Sequence, residues 1–253
     1  MRDKPLHPPS FVATKDDPEK KMMKIFKEGF NNRSYVLLVC IFGCIDGAFA
    51  SFSSIMSFLF SFYNVPGEPK IYSNSLISLY GACVSIVGVL SSLAAGAYLQ
   101  KTQKYLLTTR LICVMVTLMV AAAIFTVPSG NHVVVGVNLV LLGIFMVPII
   151  PVSMNFASEM TFPLAPAMTN GWLLMIGYAM GAVLAILCTP LSQYSPRLVM
   201  LIYTFLGLVA CICSIFLKED LKKTEFARKN VATALCDSSE KLTASMDSFK
   251  IET

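Results

Sequence analysis

The chain has 253 residues, 55% of them apolar and 14% charged, with a formal net charge of +5 and a mean hydropathy of +0.67. Soluble domains carry about 25% charged residues, so this composition excludes an ordinary soluble domain. The charged residues sit mostly at the two ends, and a nucleic-acid partner, which needs one concentrated basic patch, is excluded as well.

Residues 1–33 hold eight Lys/Arg and five Asp/Glu, and residues 218–253 hold seven of each. The opening residues are polar, with Pro5, Pro8 and Pro9, and read as disordered. No cleavable signal peptide is expected there, and the first apolar run would serve as its own insertion signal. Met22, Met23, Phe26 and Phe30 recur at helical spacing among Lys20, Lys21, Lys24 and Lys27. That pattern fits a basic amphipathic helix on an anionic leaflet, or a solvated helical linker.

Six apolar runs follow, at 34–62, 73–99, 105–127, 132–156, 165–189 and 195–217. Each reaches or approaches the ~20 residues that cross a bilayer as a helix. The expected fold is therefore all-α: a six-helix transmembrane bundle over 34–217, flanked by an N-terminal segment (1–33) and a largely disordered tail (218–253). The breaks between runs are polar or rich in Pro and Gly. They are NVPGEPK from Asn64 to Lys70, QKTQK from Gln100 to Lys104, VPSGN from Val127 to Asn131, and the stretch from Pro190 to Pro196. An even number of crossings puts both termini on one side. That side collects eighteen Lys/Arg against two, Lys70 and Arg197, on the other. The positive-inside rule makes it the cytoplasm. The identity of the membrane is left open.

Asp46 is the one ionisable Asp, Glu, Lys or Arg inside the first run. A charged side chain at a helix centre costs about 2.5–3.5 kcal/mol on insertion scales, so Asp46 is expected to face the bundle interior or water. Phe42, Asp46, Phe49 and Ser53 share one helix face. A carboxylate between two aromatic rings suits a small organic cation. It equally suits a proton carrier, and a neutral structural Asp is the third reading. Gly43, Gly47, Ala50 and Ser54 form a neighbouring stripe of small residues that admits another helix closely.

In the fourth run, Pro148 and Pro151 predict a kink, with a hinge as its candidate function. Between the fourth and fifth runs, NFASEMTFPLAPAM contains Asn155, Glu159, Pro163 and Pro166, and predicts a turn at a membrane surface. Asn155 and Glu159 are gating or structural candidates, Glu159 within reach of headgroups or Lys101. Gly177-x-x-x-Gly181 in the fifth run is a helix-contact spacing. Tyr178, between the two glycines, needs a hydrogen-bond partner in mid-span and serves either a cavity wall or packing. Trp172 fits an interfacial anchor.

The eight cysteines show no CxxC spacing, and packing is their expected role. No metal or cofactor is expected. Nucleophile-elbow, zinc-protease and P-loop motifs are absent from the sequence, so no catalytic residue and no enzyme is expected.

Six spans, a basic 2–3 loop, a proline-kinked fourth span and a glycine-rich fifth resemble one half of a major facilitator superfamily transporter over residues 20–217. GAYLQKTQK from Gly96 to Lys104 resembles the superfamily's G-x-x-x-D-[RK]-x-x-[RK] loop, with Gln100 where the acid usually stands. EMTFP from Glu159 to Pro163, with Thr169-Asn-Gly171, resembles a signature in the C-terminal half of the feline leukaemia virus subgroup C receptor-related family. FGCIDGAF from Phe42 to Phe49 is similar to the pattern of that family's seventh helix. The resemblance implies haem export, choline and ethanolamine uptake, or transport of another small metabolite. The residues read here as substrate-binding, from their own chemistry, are Phe42, Asp46, Phe49 and Tyr178. Four positions depart from the family: Tyr178 for a cavity glutamine, Ala50 for an aromatic or polar residue, Asp46 for an uncharged one, and Asn155 for a frequent Glu.

Alternating access needs two bundles around a midplane site, and six helices supply one wall. The expected function is transport of a small organic solute with a second six-helix bundle, supplied by a homodimer or another protein. The opening segment resembles the central linker of a full transporter, so a truncated transporter is a further reading. The alternative is a non-transporting half that serves as an assembly or regulatory subunit. The expected partners are the lipid bilayer and a small-molecule substrate.

Overall fold

A computed structural model describes residues 30–64 and 71–217. The predicted amphipathic helix before Phe30, the tail from Lys218, and most of the NVPGEPK turn lie outside these residues. The described residues form helices and short connections, with no strand among them.

Helix α1 is Arg33–Ser61, α2 Asn74–Thr102, α3 Tyr105–Thr126, α4 His132–Met146, α5 Ile149–Met160, α6 Pro166–Tyr194 and α7 Pro196–Phe216. A short 3-10 turn, Val127–Ser129, extends α3. Helices α4 and α5 together make the fourth span, so six crossings are long and apolar enough to cross a membrane. The six predicted spans are all present. The starts carry the expected signals: the side chains of Asn32, Ser73 and Asn131 accept from the first-turn N–H groups of α1, α2 and α4. Proline opens α6 and α7, where its missing N–H costs nothing.

Two connections differ from the sequence reading. The stretch from Pro190 to Pro196 is not a loop: α6 runs through Pro190 to Tyr194, and the turn is the single extended residue Ser195. Hydroxyls support the backbone around the proline, with Thr189 donating to the Ala185 carbonyl and Ser192 to that of Thr189. Likewise the QKTQK break shrinks to Gln103 and Lys104. Gln103 adopts φ 53° and its N–H caps the Leu99 carbonyl, ending α2 in a left-handed turn.

The packing follows an internal exchange of the first three spans with the last three. α1 packs most extensively on α6, as α2 does on α4; α1 also packs on α7, as α3 does on α4 and α5; α3 packs on α7. The two exchanged pairs each run parallel. Tyr35 and Gly47 of α1 meet Thr169 and Gly181 of α6 in the same order along both helices. Tyr80 and Gly88 of α2 meet His132 and Val147 of the fourth span in the same way. This is the arrangement of a three-plus-three inverted repeat, the plan nested in each half of a major facilitator fold.

Small residues bring each pair together. A Cβ on Gly47 would lie 3.1 Å from Gly181 N and 3.2 Å from Gly177 O. A Cβ on Gly143 would lie 2.9 Å from the Val84 carbonyl oxygen, and one on Gly207 2.6 Å from Thr117 Oγ1. Without an apolar driving force between helices in lipid, such close backbone approach is a main source of association. Tyrosine hydroxyls pin the ends. Tyr35 donates to Thr169 O at 2.7 Å, Tyr72 to Val127 O at 2.8 Å and Tyr80 to His132 O at 2.9 Å.

Candidate functional site

The candidate residues gather where α1 meets α6. Helix α1 is wholly buried from Ile41 to Ala48, because α6, α7 and the fourth span surround it there. Asp46 is 2% exposed and its Oδ2 has no hydrogen-bond partner. Phe42, fully buried, lies one turn below it. Gly177 of α6 faces both: a Cβ there would sit 2.5 Å from Phe42 Cε1 and 3.3 Å from Asp46 Oδ2. Gly181, one turn up, faces Ala50 and Gly47. The predicted Gly177/Gly181 pair is thus the contact surface for α1, and the Gly47–Ala50 part of the small stripe receives it. Gly43 in that stripe meets nothing within 4 Å of a Cβ position, and Ser54 is exposed.

The four residues read as substrate-binding divide into two levels. Phe42 and Asp46 are closed over by α6. Phe49 is half-buried, Ser53 is exposed, and Tyr178 is 56% exposed. A separate apolar cavity of about 20 Å³ sits behind α1, lined by Ala48, Phe52, Val120, Met146, Met200 and Tyr203. Pockets that hold an organic ligand run to about 300–1,000 Å³, so this void takes none.

The gating candidates lie on the fourth span and its exit. Pro148 stands in the break between α4 and α5, and Pro151 is the third residue of α5. The N–H that Pro151 lacks would have served the Val147 carbonyl, which accepts instead from Ile150 N at 3.3 Å. The predicted kink is present as this break. Asn155 is exposed, and Glu159 is 7% exposed beside Tyr105. Tyr105 in turn stacks on Phe156, ring centroids 5.7 Å apart. The α5–α6 turn is fastened to the start of α1 by Tyr35, and by Asn32, whose side chain donates to Met160 O.

Several contacts have no counterpart in the sequence reading. Ser51 and Tyr203 share a buried hydrogen bond of 2.8 Å between α1 and α7. Arg110 of α3, one of the eighteen Lys/Arg counted for the expected cytoplasmic side, donates to the carbonyls of Ser214, Ile215 and Leu217 at the end of α7. The buried Ser153 Oγ and Asn170 Oδ1, like Asp46 Oδ2, have no partner. A tyrosine or arginine deep in an apolar run is the signal that flags such contacts, since each needs a partner there. At the opposite membrane face, burial raises the Tyr63 phenol above its usual range, with Arg197 pulling it back, and burial also raises that of Tyr72. No cluster of three or more His, Cys, Asp or Glu side chains suited to a metal ion occurs among the described residues.

No family model matches the chain. Curated relatives do. It is 28% identical over 232 residues to the choline/ethanolamine transporter FLVCR1 of Felis catus, covering 88% of this chain and 40% of that protein. It is 24% identical over 246 residues to the choline/ethanolamine transporter FLVCR2 of Homo sapiens, covering 95% and 45%. It is 26% identical over 229 residues to an uncharacterised MFS-type transporter of Caenorhabditis elegans, covering 87% and 37%. The chain spans about two fifths of the length of these relatives. With six membrane helices in an inverted repeat and the quoted motifs, the chain is a multi-pass integral membrane protein homologous to the FLVCR-type choline/ethanolamine transporters and to MFS-type transporters.

Proposed function

We propose that this chain moves a small organic solute across a membrane by alternating access, as the C-terminal half of a transporter completed by a second six-helix bundle. The observation that carries the reading is the homology to choline/ethanolamine transporters over 88% of the chain, joined to the inverted-repeat packing. Both termini are assigned to the cytoplasm from the Lys/Arg asymmetry.

The solute-facing surface is the flank of the α1–α6 pair that stays open. The two helices run parallel and meet through Gly47, Gly177 and Gly181. At 3.6 residues per turn, Phe49 and Ser53 of α1 and Tyr178 of α6 then turn toward the same flank. Two aromatic side chains at that flank suit a quaternary or primary ammonium headgroup, the class the named relatives carry. Phe42 and Asp46 lie a turn below this surface. A second bundle docked on the open side would complete the cavity that the 20 Å³ void behind α1 cannot supply. Asn155 and Glu159, at the end of the fourth span, together with its Pro148–Pro151 break, are assigned to gating or its structural support.

The test combines mass determination of the protein in native membranes with uptake of radiolabelled choline, ethanolamine and haem into vesicles. The expected result is a complex larger than one chain and saturable uptake of an ammonium solute, lost in Tyr178→Ala. A lone chain with no uptake of any of the three would refute transport and favour the assembly-subunit reading. Introduced thiols at Pro5 and Ser248 that label from opposite sides would refute the topology.

A further inference from the structure

Asp46 is the fourteenth residue of the 29-residue helix α1, so it sits near the middle of the span. Its Oδ2 is buried, and the α6 backbone at Gly177 faces it. The α6 chain at Gly177 stands where a Cβ would be 3.3 Å from Oδ2. The Gly47 contact, with Gly181 N and Gly177 O at 3.1 and 3.2 Å from a Cβ position, closes the seam one residue on. No organic cation fits between Phe42, Asp46 and Gly177 in this packing.

The surroundings also hold no counter-charge. On α6, Tyr178 is turned to the exposed flank and Cys188 lies three turns farther along. On α7, Tyr203 is engaged with Ser51, and Arg197 is the second residue of the helix. On the fourth span, Glu159 is the penultimate residue and His132 the first. On α2, Lys101 is the penultimate residue. Every other Asp, Glu, Lys or Arg among the described residues lies within two turns of an end of its span. A carboxylate so buried, its Oδ2 without a hydrogen-bond partner, is the costly form, and a carboxylic acid is the form the closed seam accommodates.

We propose that Asp46 is a proton-binding site whose occupancy holds the α1–α6 seam shut. The protonated acid is compatible with the glycine contact. Transfer of its proton to water leaves a carboxylate that must recruit water, and the route for that water is separation of α1 from α6. The seam adjoins the open flank that carries Phe49 and Tyr178, so proton release would reshape the proposed solute surface from beneath. The proton site itself does not require the chain to transport anything.

The test reads protonation and seam opening without substrate or second bundle. The full chain in lipid nanodiscs is titrated while the infrared carbonyl stretch of protonated carboxylic acids is recorded. Amide hydrogen exchange of the segments 42–50 and 174–184 is followed in parallel, with Asp46→Asn as the reference that cancels the intrinsic pH dependence of exchange. The expected result is a carboxylic band that is present at low pH, disappears on alkalinisation and is missing from Asp46→Asn. Exchange in both segments should match the variant at low pH and exceed it at high pH by on the order of a hundredfold, from the cost of a charged side chain at a helix centre. A wild-type spectrum with no band assignable to Asp46 would overturn the proposal, as would equal exchange in wild type and Asp46→Asn at every pH. Failure of solute uptake with both signals present would count against the transport reading and leave the proton site standing.

Discussion

Replacing Gly177 with Ala is the sharpest probe of the α1–α6 seam, because the same helix supplies its control. A methyl at Gly177 would lie 2.5 Å from Phe42 Cε1, 2.9 Å from Cδ1 and 3.3 Å from Asp46 Oδ2. The Phe42 ring is fully buried, so it has nowhere to swing, and α6 must back away from α1. Overpacking of this kind costs about 1–3 kcal/mol. Against it stands the helix preference of Ala over Gly, about 0.8–1.0 kcal/mol. At Gly171, two turns earlier in α6, a Cβ meets nothing within 4 Å. There only the preference remains. Gly177→Ala is therefore expected to be less stable than Gly171→Ala by about 1–3 kcal/mol, a factor of roughly 5 to 150 in the unfolding equilibrium. Unfolding in mixed detergent micelles, followed by the fluorescence of Trp172, the single tryptophan, measures the difference. Phe42→Leu should recover part of the loss in Gly177→Ala by opening space beside the methyl. Equal stability of the two alanine variants would refute the seam as described, and with it the enclosure of Asp46.

Other contacts give tests of their own. Arg110→Gln should fray the end of α7 and speed amide exchange there by on the order of tenfold, and Arg110→Lys should not restore it, since Arg110 reaches Ser214 O from Nε and Ile215 O and Leu217 O from Nη2, two separated nitrogens that a single ammonium does not reproduce; unchanged exchange in both would discount the cap. Mild oxidation with copper phenanthroline should couple Cys40 to Cys213, whose sulfurs are 3.9 Å apart, with peptide mapping as the readout; coupling to other cysteines instead would show that α1 and α7 pack otherwise. The double substitution Pro148→Ala, Pro151→Ala should slow amide exchange at the α4–α5 break by restoring two N–H donors to it. Exchange no slower than in wild type would show that packing, not proline, imposes the break.

The sequence carried the fold well because its signals were strong and local. Long apolar runs, Pro at the starts of α6 and α7, and Asn or Ser caps need no partner to be recognised. Pro190 misled because a proline inside a membrane helix withdraws one N–H without having to end it, and α6 continues through it to Tyr194. At the site, the sequence marked Asp46, Phe42, Gly177 and Gly181 as exceptional but not their relation. Face-sharing along one helix places Phe42, Asp46 and Phe49 in a row; it does not show that α6 closes over the first two and leaves the third half open. That depends on where the second helix crosses, which is a property of the pair. The partners of Tyr35, Ser51 and Arg110 were hidden for the same reason: each lies more than a hundred residues away in the chain.

The internal repeat makes the two parallel pairs comparable, and the comparison separates their roles. At the α2–α4 seam, Gly88 meets Val147 and Gly143 meets Val84 in mid-span, and Tyr80 donates to the His132 carbonyl at one end. No carboxyl is buried at these glycine contacts. This seam is instead the place where the fourth span breaks, with Val147 at the contact and Pro148 next in the chain. At the α1–α6 seam both helices are continuous, and the contact buries a carboxyl. One seam can yield by bending and the other by ionisation. Alternating access requires a half to change shape around a fixed centre, and a symmetric half would have two equivalent places to do so. Here the break and the acid fall on opposite members of the repeat. On the proposed reading, a pH step would therefore act on the α1–α6 side and leave the bend in the fourth span to the solute and the second bundle.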